Sequence, residues 1–153
     1  MTPTRVRDLL VAGFVAALVV NLAVRLSYGS LPAFPLLAGA TLGVLGLAEA
    51  VAGSALRDRI RRHTGTSPVQ PLVAARAVLV AKASALGGAI MAGVWVGLLV
   101  HVLPRSADVA AAAADSAAAG VGLLCALGLV AGALWLERCC RTPDDQRRDH
   151  PAK

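Results

Sequence analysis

Four long runs of apolar residues alternate with short polar segments along the 153-residue chain. The runs cover residues 9–26, 35–56, 78–103 and 117–136. A helix that crosses the hydrocarbon core of a bilayer needs about 20 such residues at 1.5 Å per residue. The pattern therefore predicts an all-α protein, a four-helix transmembrane bundle made of two helical hairpins.

The segments beside these runs indicate where the helices end. Pro104 follows the third run and should end its helix, because proline cannot continue the backbone hydrogen-bond ladder. The alanine-rich residues 108–116 should extend the fourth helix outward. Residues 142–153 are charged and contain two prolines, so we expect a disordered tail after a transmembrane domain of residues 1–141.

Lysine and arginine are unevenly distributed between the two ends of the predicted helices. All of the 15 except Arg25 and Arg105 lie toward the side that carries both termini and the long second loop. Cytoplasmic loops are enriched in these residues, so we predict a multi-pass plasma-membrane protein with both termini in the cytoplasm. A cleaved signal peptide is the alternative for the first run. Asn21 and Arg25 argue against it because they interrupt the stretch before a cleavage site.

Composition excludes two other classes of protein. Hydrophobic residues make up 57% of the chain and charged residues 16%, which leaves too few polar side chains to cover a soluble fold. The net charge of +6 would suit nucleic-acid binding, but the basic residues flank apolar runs, where membrane topology accounts for them. The expected partner is the lipid bilayer and not a nucleic acid.

Four polar side chains inside the predicted helices are candidates for an intramembrane site, because their burial is costly without a partner: Glu49, Lys82, Asn21 and Arg25. Glu49 and Lys82 lie at similar depths, on the order of 10 Å. They would form a proton- or ion-linked site, or else a structural ion pair, or Lys82 would simply extend to the interface. We favour the structural alternatives over the ion-linked site. Asn21 and Arg25 would bind an external anion, or Asn21 would bond a neighbouring helix while Arg25 reaches the interface. We favour the second alternative.

Small residues follow Lys82 on one face of the third helix, at spacings of three and four: Ala85, Ala89, Gly93 and Gly97. Such a face allows another helix backbone to approach closely. The partner is either another helix of the chain or another subunit, and the sequence leaves both open.

No sequence motif for catalysis is present. The chain has no phosphate-binding loop, no H-E-x-x-H and no serine nucleophile elbow, and its polar segments are short. Cys139 and Cys140 are adjacent, which strains a disulfide, and no further ligand stands at metal-binding spacing from them. We therefore predict a protein that is not an enzyme and that has no cofactor and no metal.

Several segments are distinctive when they are taken together: Arg5-x-Arg7-Asp8-Leu9-Leu10, Tyr28-Gly29-x-Leu31-Pro32, Pro68-Val69-Gln70-Pro71-Leu72, Ala81-Lys82-Ala83-Ser84-Ala85-Leu86 and Leu136-Glu137-x-Cys139-Cys140-Arg141. With these residues the chain resembles, up to Thr142, an uncharacterised actinobacterial membrane-protein family of unknown function. The resemblance implies about four spans, genes beside folate-biosynthesis genes and no established activity. It directs attention to a polar series that leads into the third helix: Gln70, Arg76, Lys82 and Ser84.

These observations predict a non-enzymatic accessory or structural membrane protein. Its contact surface would be the loop from Arg57 to Arg76 together with the small-residue face of the third helix. The partner would be another membrane protein or further copies of the chain. The alternative is a small transporter or channel subunit in which Glu49 and Lys82 line the path.

Overall fold

The computed structural model describes residues 5–27, 39–61, 71–106 and 110–140. They form four α-helices: α1 (Val6–Ser27), α2 (Ala40–Arg61), α3 (Pro71–Val102) and α4 (Ala110–Cys139). Each helix is long and apolar enough to cross a membrane, and no strand occurs in the described ranges. The prediction of an all-α, four-helix membrane protein is confirmed.

The helix ends agree with the local signals except at the second loop. α3 ends at Val102 and passes into a 3₁₀ turn, Leu103–Arg105, that contains Pro104. α4 starts at Ala110, inside the alanine-rich segment predicted to extend it. The basic segment predicted as a loop from Arg57 onward is helical as far as Arg61, because it contains no proline or glycine that would stop the helix. The predicted tail, residues 142–153, lies outside the described residues.

The four helices pack in the order α1, α3, α4, α2. α3 and α4 form the central hairpin, α1 packs against α3, and α2 packs against α4. Within the described ranges, α1 and α2 do not pack against each other to form the first of the two predicted hairpins. α3 is therefore the main neighbour of α1, and α4 is the main neighbour of α2.

Glycine and alanine bring the α1 and α3 backbones together. A Cβ atom added at Gly13 would lie 2.9 Å from the carbonyl oxygen of Ala89, and one added at Gly97 would lie 2.5 Å from that of Ala17. A Cβ added at Gly93 would overlap the carbonyl oxygen of Gly13. Larger side chains at these positions would separate the helices, so glycine is what permits this approach.

α2 approaches α4 through a second series of glycines. A Cβ added at Gly39 would lie 2.5 Å from the α-carbon of Gly122, and one added at Gly46 would lie 2.7 Å from that of Leu129. Gly53 faces Leu136 in the same way, with 3.1 Å between the added Cβ and that α-carbon. Van der Waals contact between backbones is therefore continuous along this helix pair.

The interface between α3 and α4 consists mainly of alanine. Ala81 and Ala85 of α3 and Ala126 and Ala133 of α4 are fully buried. At the other end of the interface, Trp95 lies against Gly122, where no side chain competes for the space. Large apolar residues point away from this interior, and many of them are exposed on α1 and α2. This is the distribution expected of a protein whose solvent is lipid.

Candidate functional site

Glu49 lies on the face of α2 that turns toward the α3–α4 hairpin. Leu42 and Leu56, seven residues to either side, share its helix face. Leu42 packs against the buried cluster that contains Trp95, and Leu56 packs against the one that contains Ala81. Glu49 itself is only 6% exposed. The sequence thus places an acidic residue where the pattern of the helix would otherwise require an apolar one.

The carboxylate of Glu49 has no hydrogen-bonding partner among the described residues. Both of its oxygen atoms are buried, and neither is within hydrogen-bonding distance of a donor. An ionised carboxylate without a partner is costly in an apolar interior, by several kcal/mol or more. A bound proton, a cation or a donor group from a ligand would satisfy this carboxylate.

Lys82 does not supply that partner. It precedes Ala89 by seven residues and Gly93 by eleven, which places it on the side of α3 that faces α1. α2, in contrast, packs on α4. Lys82 is partly buried and interacts with another group of the chain. The structure therefore does not pair Glu49 with Lys82, because the Glu49 carboxylate has no hydrogen-bonding partner among the described residues and Lys82 lies on the α1 side of α3.

Asn21 connects α1 to α3. Its side-chain amide donates a hydrogen bond to the carbonyl oxygen of Gly97 at 3.1 Å. Glycine at position 97 exposes its carbonyl to the neighbouring helix, so the bond and the close approach depend on the same residue. Arg25, one turn further along α1, is exposed. Asn21 thus bonds a neighbouring helix, and Arg25 is exposed at the end of α1, which is the arrangement of the second alternative.

The small-residue face of α3 is already covered. Gly93 and Gly97 contact the α1 backbone, and Ala85 and Ala89 are buried in a cluster that includes Leu9 of α1. Of the two partners that the sequence left open for this face, the structure shows another helix of the same chain, α1.

The remaining predicted interface residues lie elsewhere. Arg76 is exposed near the start of α3, and Ser84 is partly buried further along it. Gln70 lies outside the described residues.

Sequence reasoning did not single out two buried acidic residues of α4. Asp115 is 8% exposed and Glu137 is 4% exposed, and each interacts with another group of the chain. Both positions lie outside the apolar run of the fourth helix, residues 117–136. Only their helical register indicated this burial. Each lies eleven residues from Ala126, which is about three helical turns, and therefore shares the helix face of this buried residue.

A groove between α2 and α4 was also missed. It has a volume of about 400 Å³ and an almost wholly apolar lining: Gly43, Gly46, Leu47, Ala50, Gly128, Ala131, Gly132 and Trp135. At one end, the guanidinium of Arg57 lies over the Trp135 ring, 5.6 Å from its centroid. The sequence contains the G-x-x-x-G pairs Gly39–Gly43 and Gly128–Gly132, but the groove requires the two helices to pack side by side.

Metal ligands and cysteine thiols are two further kinds of candidate group. The described residues include no group of three or more His, Cys, Asp and Glu residues that could hold a metal ion. The three cysteines are free thiols. Cys140 lies beyond the fourth candidate span, and burial, followed by the neighbouring Cys139, raises the pKa of its thiol. A thiol with a raised pKa is a weaker nucleophile at neutral pH.

Comparison with known proteins places the chain in a family without assigning an activity. The chain matches none of the curated proteins and none of the solved structures. A family model does match, over residues 9–144, which include all of α2, α3 and α4 and most of α1. Since the match covers most of the chain, the protein belongs to the family described as "Protein of unknown function (DUF3180)".

Proposed function

We propose that this integral membrane protein is a non-enzymatic accessory or structural subunit, and that the outer face of α2 binds another membrane protein. One observation supports this above the others. α2 is covered by its own chain on one side only, and its span is the least apolar of the four, with a mean hydropathy of 1.2 against 2.0 to 2.3.

The outer face of α2 is suited to contact with a helix. Ala48, Ala52 and Ala55 are exposed there at spacings of four and three. Helices associate in lipid through close backbone approach, which small residues permit. The polar groups Asn21 and Lys82, in contrast, already interact within the chain.

Native mass spectrometry tests this function on the protein extracted with its surrounding lipid. We expect a defined complex with another membrane protein. Ala52→Leu should release that partner, whereas Ala23→Leu, the same change at an exposed position of α1, should not. A wild-type protein that carries no other protein would overturn the proposal.

The proposal also covers the orientation of the chain in the membrane and the gene neighbourhood of the family that it resembles. Both termini face the cytoplasm, because the basic residues concentrate on that side. The resemblance to an actinobacterial family with genes beside folate-biosynthesis genes suggests that the co-extracted partner be compared with proteins of that pathway. The gene association supports this choice of comparison and assigns no activity to the chain.

Glu49 supports a second candidate, a small transporter or channel subunit linked to protons or cations. A carboxylate that is buried inside a membrane span and has no partner among the described residues is a feature of ion and proton pathways. Lys82 is not needed for this function, since it faces a different helix.

Flux measurements in proteoliposomes test the second candidate. Glu49→Gln should abolish a proton- or cation-linked flux while the helical circular dichroism stays unchanged. Glu137→Gln is the matched control, because Glu137 is equally buried but interacts within the chain. If wild-type vesicles show no flux above empty vesicles, the transport candidate is rejected.

A further inference from the structure

We propose that the groove between α2 and α4 binds one acyl chain of an anionic phospholipid, whose phosphate is held by Arg57. The groove has an almost wholly apolar lining and a cationic side chain, Arg57, at one end. Gly43, Gly46 and Ala50 line it on the α2 side, and Trp135 lines it at the end where Arg57 lies. No step of this inference depends on the accessory function proposed above.

The groove is elongated along the helix axis. Gly43 and Ala50 are seven residues apart, so the groove extends about 10 Å in that direction. Its volume is about 400 Å³ and its lining is almost wholly apolar, which suits an extended hydrocarbon chain.

The shape of the groove depends on the residues that lack large side chains. Gly132 contacts the backbone of Gly46, which brings α2 and α4 together at the floor of the trough. A Cβ at Gly128, in contrast, would meet no atom within 4 Å. The space above Gly128 is therefore open toward the surrounding lipid.

The end of the groove supplies the charge that an anionic headgroup requires. Arg57 is exposed and lies one residue from the end of the second candidate span, at the depth where headgroups occur. Its guanidinium is placed over Trp135, 5.6 Å from the ring centroid, and this contact restrains the side chain next to the trough. Arginine binds phosphate oxygens through paired N–H donors. Asp58 is also exposed, but it is turned by about 100° around α2.

Measuring which lipid is retained tests whether the charge of Arg57 selects an anionic headgroup. The protein is reconstituted in equal amounts of phosphatidylglycerol and phosphatidylcholine with identical acyl chains, and retained lipid is counted by native mass spectrometry. We expect preferential retention of phosphatidylglycerol, about fivefold weaker in Arg57→Gln, which is the factor for one basic residue at an anionic surface. Arg57→Lys should keep only part of the preference, because lysine retains the charge but not the paired N–H donors. Arg138→Gln, which removes an exposed charge at the same end of α4, should leave the preference unchanged.

A second pair of variants tests whether an acyl chain occupies the groove. Ala131→Phe fills the trough from an exposed position that does not separate α2 from α4, and Ala117→Phe makes the same change elsewhere on α4. Retention of both lipids should fall in Ala131→Phe and not in Ala117→Phe. Equal retention in these two variants would overturn the placement of the acyl chain. Equal phosphatidylglycerol retention in Arg57→Gln and Arg138→Gln, or no preference in the wild type, would overturn the assignment to an anionic lipid.

Discussion

Gly93 gives the sharpest test of how the helices are held together. In Gly93→Ala the new methyl group would overlap the carbonyl oxygen of Gly13 and lie 2.8 Å from its carbonyl carbon. These atoms belong to the α1 backbone, so the clash is relieved only by moving the whole helix. Gly87, on the same helix, has no atom within 4 Å of an added Cβ.

The magnitude follows from comparing the two sites. Alanine is favoured over glycine in a helix by about 1 kcal/mol, and both substitutions gain this amount. Overpacking costs about 1–3 kcal/mol. Of the two substitutions, only Gly93→Ala overpacks the structure. Gly93→Ala should therefore unfold more easily than Gly87→Ala by about 1–3 kcal/mol in free energy.

Unfolding in mixed micelles, with an increasing fraction of a denaturing detergent and circular dichroism as the signal, measures this difference. Gly97→Ala should behave like Gly93→Ala, since its new Cβ would lie 2.5 Å from the carbonyl oxygen of Ala17. If Gly87→Ala proved as unstable as Gly93→Ala, the close approach of α1 and α3 would not be what stabilises the fold.

Three further predictions concern single features. Asn21→Leu removes the hydrogen bond to Gly97 and should lower the free energy of unfolding by about 0.6–1.7 kcal/mol in the same micelle assay; an unchanged midpoint would contradict this. Cys140 has a raised thiol pKa, so its maleimide labelling, followed by peptide mass spectrometry, should need a higher pH than a model thiol and should match it after unfolding. A fluorescent protein fused to the C-terminus should fluoresce and alkaline phosphatase fused there should be inactive, and the reverse result would place that terminus outside.

Part of the candidate chemistry was predictable because it depends on local sequence. Glu49 stands out as an acidic residue within an apolar run, whatever its neighbours are. The same reasoning could not decide whether Lys82 reaches it, because two residues at equal depth meet only when their helices are adjacent and correctly rotated. The structure places Lys82 on the α1 side of α3 and leaves Glu49 without a hydrogen-bonding partner in the described ranges.

The burial of Asp115 and Glu137 was not predicted, for a different reason. Asp115 precedes the apolar run of the fourth helix and Glu137 follows it, so hydropathy alone does not predict that either is buried. Burial also depends on how far a neighbouring helix extends. α3 and α4 are 32 and 30 residues long and pack beyond the apolar run, and both acidic residues are buried.

The sequence by itself determined that the chain is helical, that it has four segments able to cross a membrane and where most of them end. These properties are local, because runs of about 20 apolar residues and prolines determine the structure of the segment in which they occur. Only the tertiary structure decided that Gly93 and Gly97 face α1, that Glu49 lacks a partner among the described residues and that a groove lies beside Trp135. Each of these depends on which helix faces which, and many small residues on every helix make several pairings compatible with the same sequence.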